Sequence, residues 1–137
     1  EDIGQAHVAP TGERVTIVSG GAMLAQALAA AIELEARGIR AEVINARWIA
    51  PFDWVTLFAS VRKTGSLLVV HEANVSGGFG AEIAARTHHE LHSQLHAPVE
   101  RLGVEDCRMP AATHLQSFLI PDVHAIVERA SKLARVM

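Results

Sequence analysis

The chain has 137 residues, with 12 Lys+Arg against 15 Asp+Glu for a formal charge of −3, and 50% hydrophobic residues. A chain of this length supports one hydrophobic core and not two, so residues 1–137 are expected to form one domain. Its positive residues are interspersed with acids and offer no basic stripe for nucleic acid, and its apolar runs, Leu67-Leu68-Val69-Val70 among them, are far short of the roughly 20 residues that span a bilayer.

The start, Glu1-Asp2-Ile3-Gly4, has neither an initiator Met nor a basic segment before an apolar one, and reads as an excised or processed piece without a signal peptide. The single cysteine, Cys107, cannot form an internal disulfide, which favours a reducing, cytoplasmic setting or simply a fold that needs no staple. Gln5 to Ala9 is a short extended segment that could add an edge strand of either direction. The β-branched run Arg14-Val15-Thr16-Ile17-Val18 predicts a strand, and Ser19-Gly20-Gly21 a tight turn. From Met23 to Arg37, Leu24, Ala27, Leu28, Ala31, Ile32 and Leu34 recur at helical spacing, with Gly38 placed to end the helix in the left-handed conformation.

A second strand is expected from Ile39 to Ala46, broken by Pro51-Phe52, after which Asp53 can cap a helix carrying Trp54, Leu57, Phe58 and Val61 on one side. Arg62 and Lys63 suit the negative end of that helix, and Gly65 stops it. Leu67 to Val70 is apolar on both faces, as a central parallel strand should be, and His71-Glu72-Ala73-Asn74 is expected to leave the strand. Gly77-Gly78-Phe79-Gly80 makes a close turn into a helix whose stripe runs Phe79, Ile83, Thr87, Leu91, Leu95. Pro98 to Leu102 is read as a fourth parallel strand, followed by a loop with Cys107, Met109 and Pro110. Pro121 is expected in the first turn of a last helix lined by Val123, Ile126, Val127, Ala130 and Leu133. Strands alternating with helices of this length predict an α/β fold, a three-layer α/β/α arrangement with a mostly parallel sheet of four or five strands.

Such sheets bind ligands beyond the carboxyl ends of their strands, where Ser19-Gly20-Gly21, Asn45-Ala46-Arg47, His71-Glu72 and the Gly103 loop would gather. Gly78-Phe79-Gly80 has part of a dinucleotide fingerprint, but Ile83 stands where a small residue is wanted and Glu82 would sit beside a phosphate, so the glycines read better as a strand-to-helix turn. His71 could shuttle a proton and Glu72 could anchor a neighbouring loop or chain; the plainer reading is a pair of loop-fixing or interface groups. Arg47 could grip a phosphate or carboxylate, against the plainer role of supporting the turn before Pro51. His88, His92 and His96 fall at i, i+4 and i+8, which permits two or three imidazoles on one helix face for Zn²⁺ or Ni²⁺; a solvated face is the better reading. Nothing marks Cys107 as a nucleophile, and the chain holds no Gly-x-Ser-x-Gly elbow, Walker loop, Cys-x-x-Cys pair or calcium loop.

The run from Ala41 to Asp53, followed by Val61-Arg62-Lys63-Thr64-Gly65, resembles the C-terminal domain of the beta subunit of thiamine-diphosphate-dependent 2-oxo acid dehydrogenases. Val69-Val70-His71-Glu72-Ala73, the stretch from Gly77 to Ala84, and Ala97-Pro98-Val99-Glu100-Arg101 follow in that family's order, as do Asp106, Met109-Pro110 and Leu119-Ile120-Pro121. The resemblance extends to transketolase C-terminal domains and to deoxyxylulose-phosphate synthase, though His71-Glu72-Ala73 and the run from Ala97 to Arg101 fit the dehydrogenases better.

The resemblance implies a domain that binds no cofactor by itself and is inactive alone, with no catalytic, cofactor or metal residues of its own. Thiamine diphosphate and Mg²⁺ would be held elsewhere in a parent enzyme that decarboxylates a 2-oxo acid and transfers the acyl group to lipoyl-lysine. Implied partners are an E1 alpha subunit or equivalent domain, another beta subunit, and the dihydrolipoyl acyltransferase. Candidate interface residues are Arg47, His71, Glu72, His96 and the carboxylate of Met137. Asn45-Ala46-Arg47-Trp48 stands where the family commonly has Asp-Leu-Arg-Thr, Gly20 where Tyr is frequent, and Arg108-Met109-Pro110-Ala111 where Pro-Met-Pro-Tyr is frequent. His96 replaces an Asp that in some members meets the acyltransferase, so that contact does not carry over unchanged. Alternatives are a C-terminal domain of another transketolase-group enzyme and a stand-alone interaction module.

Overall fold

The computed structural model describes residues 2–136 and is built on a five-stranded sheet in the order β1-β3-β2-β4-β5. The strands are β1 (His7–Val8), β2 (Val15–Ser19), β3 (Ala41–Asn45), β4 (Leu67–Asn74) and β5 (Glu100–Val104). Between and after them lie α1 (Met23–Ala36), α2 (Trp54–Thr64), α3 (Phe79–Leu91), the four-residue α4 (Thr113–Gln116) and α5 (Val123–Arg135). β2 pairs in parallel with β3 and β4, and β4 with β5. Only β1 runs antiparallel, setting His7 against Asn45 and Val8 against Ile44, which settles the direction of the edge strand.

The sheet is covered on both faces, so the central strands are apolar throughout: Leu67, Leu68, Val69 and Val70 are all buried. On one face α1 and α5 pack over Val15, Ile17, Val43, Leu68 and Val70. On the other, α2 and α3 pack over Val18, Ile44, Leu67 and Val69. The three layers and mostly parallel sheet are those the alternating pattern calls for.

Local stop and start signals act where the residue types place them. Asp53 accepts a hydrogen bond from the Thr56 amide at 3.0 Å and caps α2, and Gly65 ends that helix at φ +68°. Four expectations need correction. β4 does not end at Val70: it runs on to Asn74, because a register shift between Val70 and Asn74 lets the chain rejoin β5 opposite Val104. The fourth parallel strand begins at Glu100, two residues later than Pro98, whose missing N–H removes a ladder donor. α3 ends at Leu91 and gives way to a 3-10 turn over His92–Gln94, so Leu95 packs against the core from outside the helix. Pro121 lies just ahead of α5, not in its first turn; Asp122 is the cap and accepts from the Ala125 amide at 2.8 Å.

Candidate functional site

The carboxyl ends of β2, β3 and β4 open into a cleft of about 360 Å³. Its walls come from Ser19-Gly20-Gly21 after β2, Ala46-Arg47-Trp48-Ile49 after β3, His71-Glu72-Ala73 on β4, and Phe79, Gly80 and Ile83 at the start of α3. Phe52 closes one side, in ring contact with Trp54 at 4.5 Å and Phe79 at 5.4 Å between centroids. The lining is largely apolar, and Trp48 and Ile49 stand partly in solvent at its rim, 39% and 66% exposed.

The structure brings Arg47, His71 and Glu72 together around this cleft, as the sheet-end argument expects, while Gly103 lies inside β5, not in a loop, and does not line it. Arg47 holds φ +56°, a backbone region that L-residues rarely enter, and its amide donates to Asn45 Oδ1 at 3.2 Å. That side-chain acceptor makes the turn leading to Pro51 locally self-supporting. Glu72 is exposed on the protruding part of β4.

His71 is held more closely. Its Nδ1 lies 3.0 Å from the Ala73 carbonyl oxygen, so Nδ1 carries the hydrogen and donates it. Nε2 is buried with no hydrogen-bond partner. Burial pushes the imidazole pKa below its usual value, and the Arg101 charge acts in the same direction against the opposing Ala73 bond. Two glycines make room for the ring: a Cβ on Gly80 would collide with Nε2, and one on Gly103 would come within 2.7 Å of both Cε1 and the Ala73 carbonyl oxygen; a Cβ on Gly78 would first strike the Asn74 carbonyl oxygen. The turn before α3 therefore needs small residues for a reason that local sequence does not disclose. The space above Gly80 is already filled by His71.

His96 lies at the opposite end of the sheet. Its amide donates to the Gly65 carbonyl at 2.8 Å and its ring packs over Gly65, where any Cβ would strike it. The three histidines spaced at i, i+4 and i+8 are not carried on one helix face, because α3 stops at Leu91. His88 Nδ1 is 2.9 Å from the Ala84 carbonyl and its Nε2 receives the Val99 amide at 3.4 Å; His92 sits in the 3-10 turn. Among the described residues no group of three or more His, Cys, Asp or Glu is arranged to hold a metal ion. Met137 lies outside the described residues.

Loop clamps at the cleft end also went unread in the sequence. Ser76 donates to Asp106, Asn74 Nδ2 to the Glu105 carbonyl at 2.8 Å, and Arg101 to the Val75 carbonyl, tying the loops after β4 and β5 together.

Residues 4–126 match the family described as "Transketolase, C-terminal domain". Over 132 residues the chain is 46% identical to the pyruvate dehydrogenase E1 component subunit beta-1, mitochondrial, of Arabidopsis thaliana, covering 96% of this chain and 36% of that protein. It is 39% identical over 126 residues to the pyruvate dehydrogenase E1 component subunit beta of Rhizobium meliloti, covering 92% of this chain and 27% of that one. Among solved structures, a chain described as "Split gene transketolase, inactive beta4 tetramer" superposes with a TM-score of 0.85 at 31% identity, over 99% of this chain and 44% of that chain. A 2-oxoglutarate:ferredoxin oxidoreductase from Magnetococcus marinus shares the fold at a TM-score of 0.64 and 14% identity, over 96% of this chain and 20% of that chain. The chain spans about a third of the length of the curated relatives it matches.

Proposed function

We infer function from one premise: the chain belongs to the transketolase C-terminal domain family. It is read as the C-terminal domain of a beta subunit of a thiamine-dependent 2-oxo acid dehydrogenase. The observation that carries this reading is 46% identity to a pyruvate dehydrogenase E1 beta subunit along 96% of the chain, within a protein nearly three times as long.

In this role the domain does no chemistry. It shapes beta-subunit interfaces, and its partners are an E1 alpha subunit or equivalent domain, another beta subunit, and the dihydrolipoyl acyltransferase. The parent enzyme binds thiamine diphosphate and Mg²⁺ outside these residues, decarboxylates a 2-oxo acid and passes the acyl group to lipoyl-lysine. The split gene transketolase of similar fold is described as an inactive beta4 tetramer, which fits a beta-type chain that needs a partner for activity. Arg47 and Glu72 at the cleft, with the apolar rim at Trp48 and Ile49, are the proposed contact groups at one end of the sheet, and His96 at the other. A cytoplasmic, reducing setting is part of the proposal, supported by the exposed, unpaired Cys107.

A chimera tests this. The chain replaces the matching segment of the Arabidopsis beta-1 subunit, is co-expressed with the alpha subunit, and is assayed for decarboxylation of pyruvate with thiamine diphosphate and Mg²⁺. The expected result is turnover by the assembled chimera and none by the 137-residue chain alone. A chimera that folds but does not assemble, or turnover by the chain alone, overturns the reading. Calorimetry with the peripheral binding domain of the acyltransferase tests the docking partner separately.

A further inference from the structure

The first turn of α3, the end of β4 and the Gly103 position of β5 all close on the His71 ring. Because Nδ1 gives its hydrogen to the Ala73 carbonyl, Nε2 is the bare nitrogen, and it rests against Gly80, the second residue of α3. A helix's first turn presents backbone N–H groups and the positive end of the dipole, and the cap residue Gly78 has no side chain to change that. A proton on Nε2 would therefore be a buried donor without a hydrogen-bond partner among the described residues, and a positive charge near the positive end of the helix.

The charged groups on the surrounding elements do not rescue it. Arg101 of β5 adds repulsion. Glu82 of α3 is exposed and paired with Arg86 at 2.6 Å. Glu72, next to His71 on β4, is exposed, and Arg47 across the cleft is positive.

We propose that His71 is a proton-operated latch: the neutral imidazole seats the first turn of α3 on β4 and β5, and protonation expels the ring and opens the cleft lined by Trp48, Phe52 and Phe79. The latch stands on this geometry alone and is independent of the enzyme assigned above. Burial and Arg101 depress the histidine's pKa in the closed form, so the sign follows. The closed form is fully stable above the ordinary histidine value of about 6.5 and weakens as pH falls below it, by up to about tenfold in the opening equilibrium per pH unit.

The test is NMR on the 137-residue chain, following the His71 ring and two amides, one in the first turn of α3 and one joining the end of β4 to β5. These are Ala81, which donates to the Gly78 carbonyl at 2.9 Å, and Val75, which donates to the Val104 carbonyl at 2.9 Å. The expected result is a His71 midpoint below about 6.5. Hydrogen-exchange protection at Ala81 and Val75, corrected for intrinsic rate, should fall with a one-proton slope as pH drops below about 6.5 and level off at the His71 midpoint. In His71→Asn, whose amide can keep the Ala73 bond and cannot take up the proton, protection should be flat over that range. A His71 midpoint at or above 6.5, or the same acid loss in His71→Asn, overturns the latch. If His71→Asn does not fold, the wild-type chain decides alone, since protection that stays constant between about 6.5 and the His71 midpoint also overturns it.

Discussion

Along β2, Val15 and Ile17 face α1 and α5, while Thr16 and Val18 face α2 and α3, and the two sides are furnished differently. The α1/α5 side is aliphatic and alanine-rich: Ala27, Ala30, Ala31 and Ala130 are buried where the two helices meet the sheet and each other. The α2/α3 side holds four aromatic rings, Phe52, Trp54, Phe58 and Phe79, all only partly buried, with Arg86 stacked 4.6 Å over Trp54. It also holds buried polar groups. Thr16 Oγ1 meets Ser60 Oγ at 2.7 Å and Thr64 Oγ1 at 2.8 Å, and Glu42 pairs with Lys63. Burial pushes the Glu42 pKa up, but bonds from Lys63, Ser60 and the Gly12 amide outweigh it and hold the carboxyl below its usual range. Small side chains let one pair of helices seat closely and seal their face; bulky rings and polar pairs hold the other helices while leaving room for a cleft.

Removing bulk should hurt the sealed side most. Leu34→Ala, at a fully buried position, is expected to cost about 2–5 kcal/mol by urea denaturation. Phe52→Ala, though it deletes more atoms, should cost less because the ring already borders the cleft; equal losses would break the contrast. Adding bulk should hurt the open side. Gly80→Ala drives a methyl into the His71 ring, at an expected cost of about 1–3 kcal/mol, whereas Gly21→Ala, also at the cleft, meets no neighbouring atom and should show only the strain of its positive φ, so the cost tracks the His71 contact. Thr16→Val keeps shape and removes the shared hydroxyl. Since Thr64 also bonds the Ser66 carbonyl, thermal denaturation should register a loss of about 1 kcal/mol.

The smallest effect concerns the cap of α2. Burial raises the Asp53 pKa, but bonds from the Thr56 and Ala6 amides and the Thr56 hydroxyl more than offset it, and the net shift is downward. A depressed carboxyl stabilises above its unfolded pKa and loses that contribution as pH falls through the lower, folded value. Asp53→Ala should therefore cost about 1 kcal/mol at neutral pH. The gap to the parent chain should close as pH drops below about 3.9. A gap that persists in acid would mean that packing, and not the charge, sets the cap's contribution.

Much of the fold was legible because its signals are local: β-branched strands, the Asp53 cap, the Gly65 stop, and Arg62 and Lys63 in the last turn of α2. What escaped depends on distant partners. β4 outruns its apolar stretch because β5 accepts it again beyond a bulge, and α3 stops early where His96 turns to bond the Gly65 carbonyl. The candidate site was legible as a place, since parallel topology alone gathers Arg47, His71 and Glu72 at one end. Its internal logic was not. That Gly80 and Gly103 serve a single imidazole requires the pairing of β4 with β5, which no run of residues announces.

The short antiparallel strand also bears on how molecules of this chain meet side by side. His7 and Val8 cover Asn45 and Ile44, and just beyond them Ala9 donates to the Val43 carbonyl while the Pro10 carbonyl receives the Val43 amide, both at 3.0 Å. That border of the sheet is thus a two-residue strand followed by Ala9-Pro10, too short to template much of another strand.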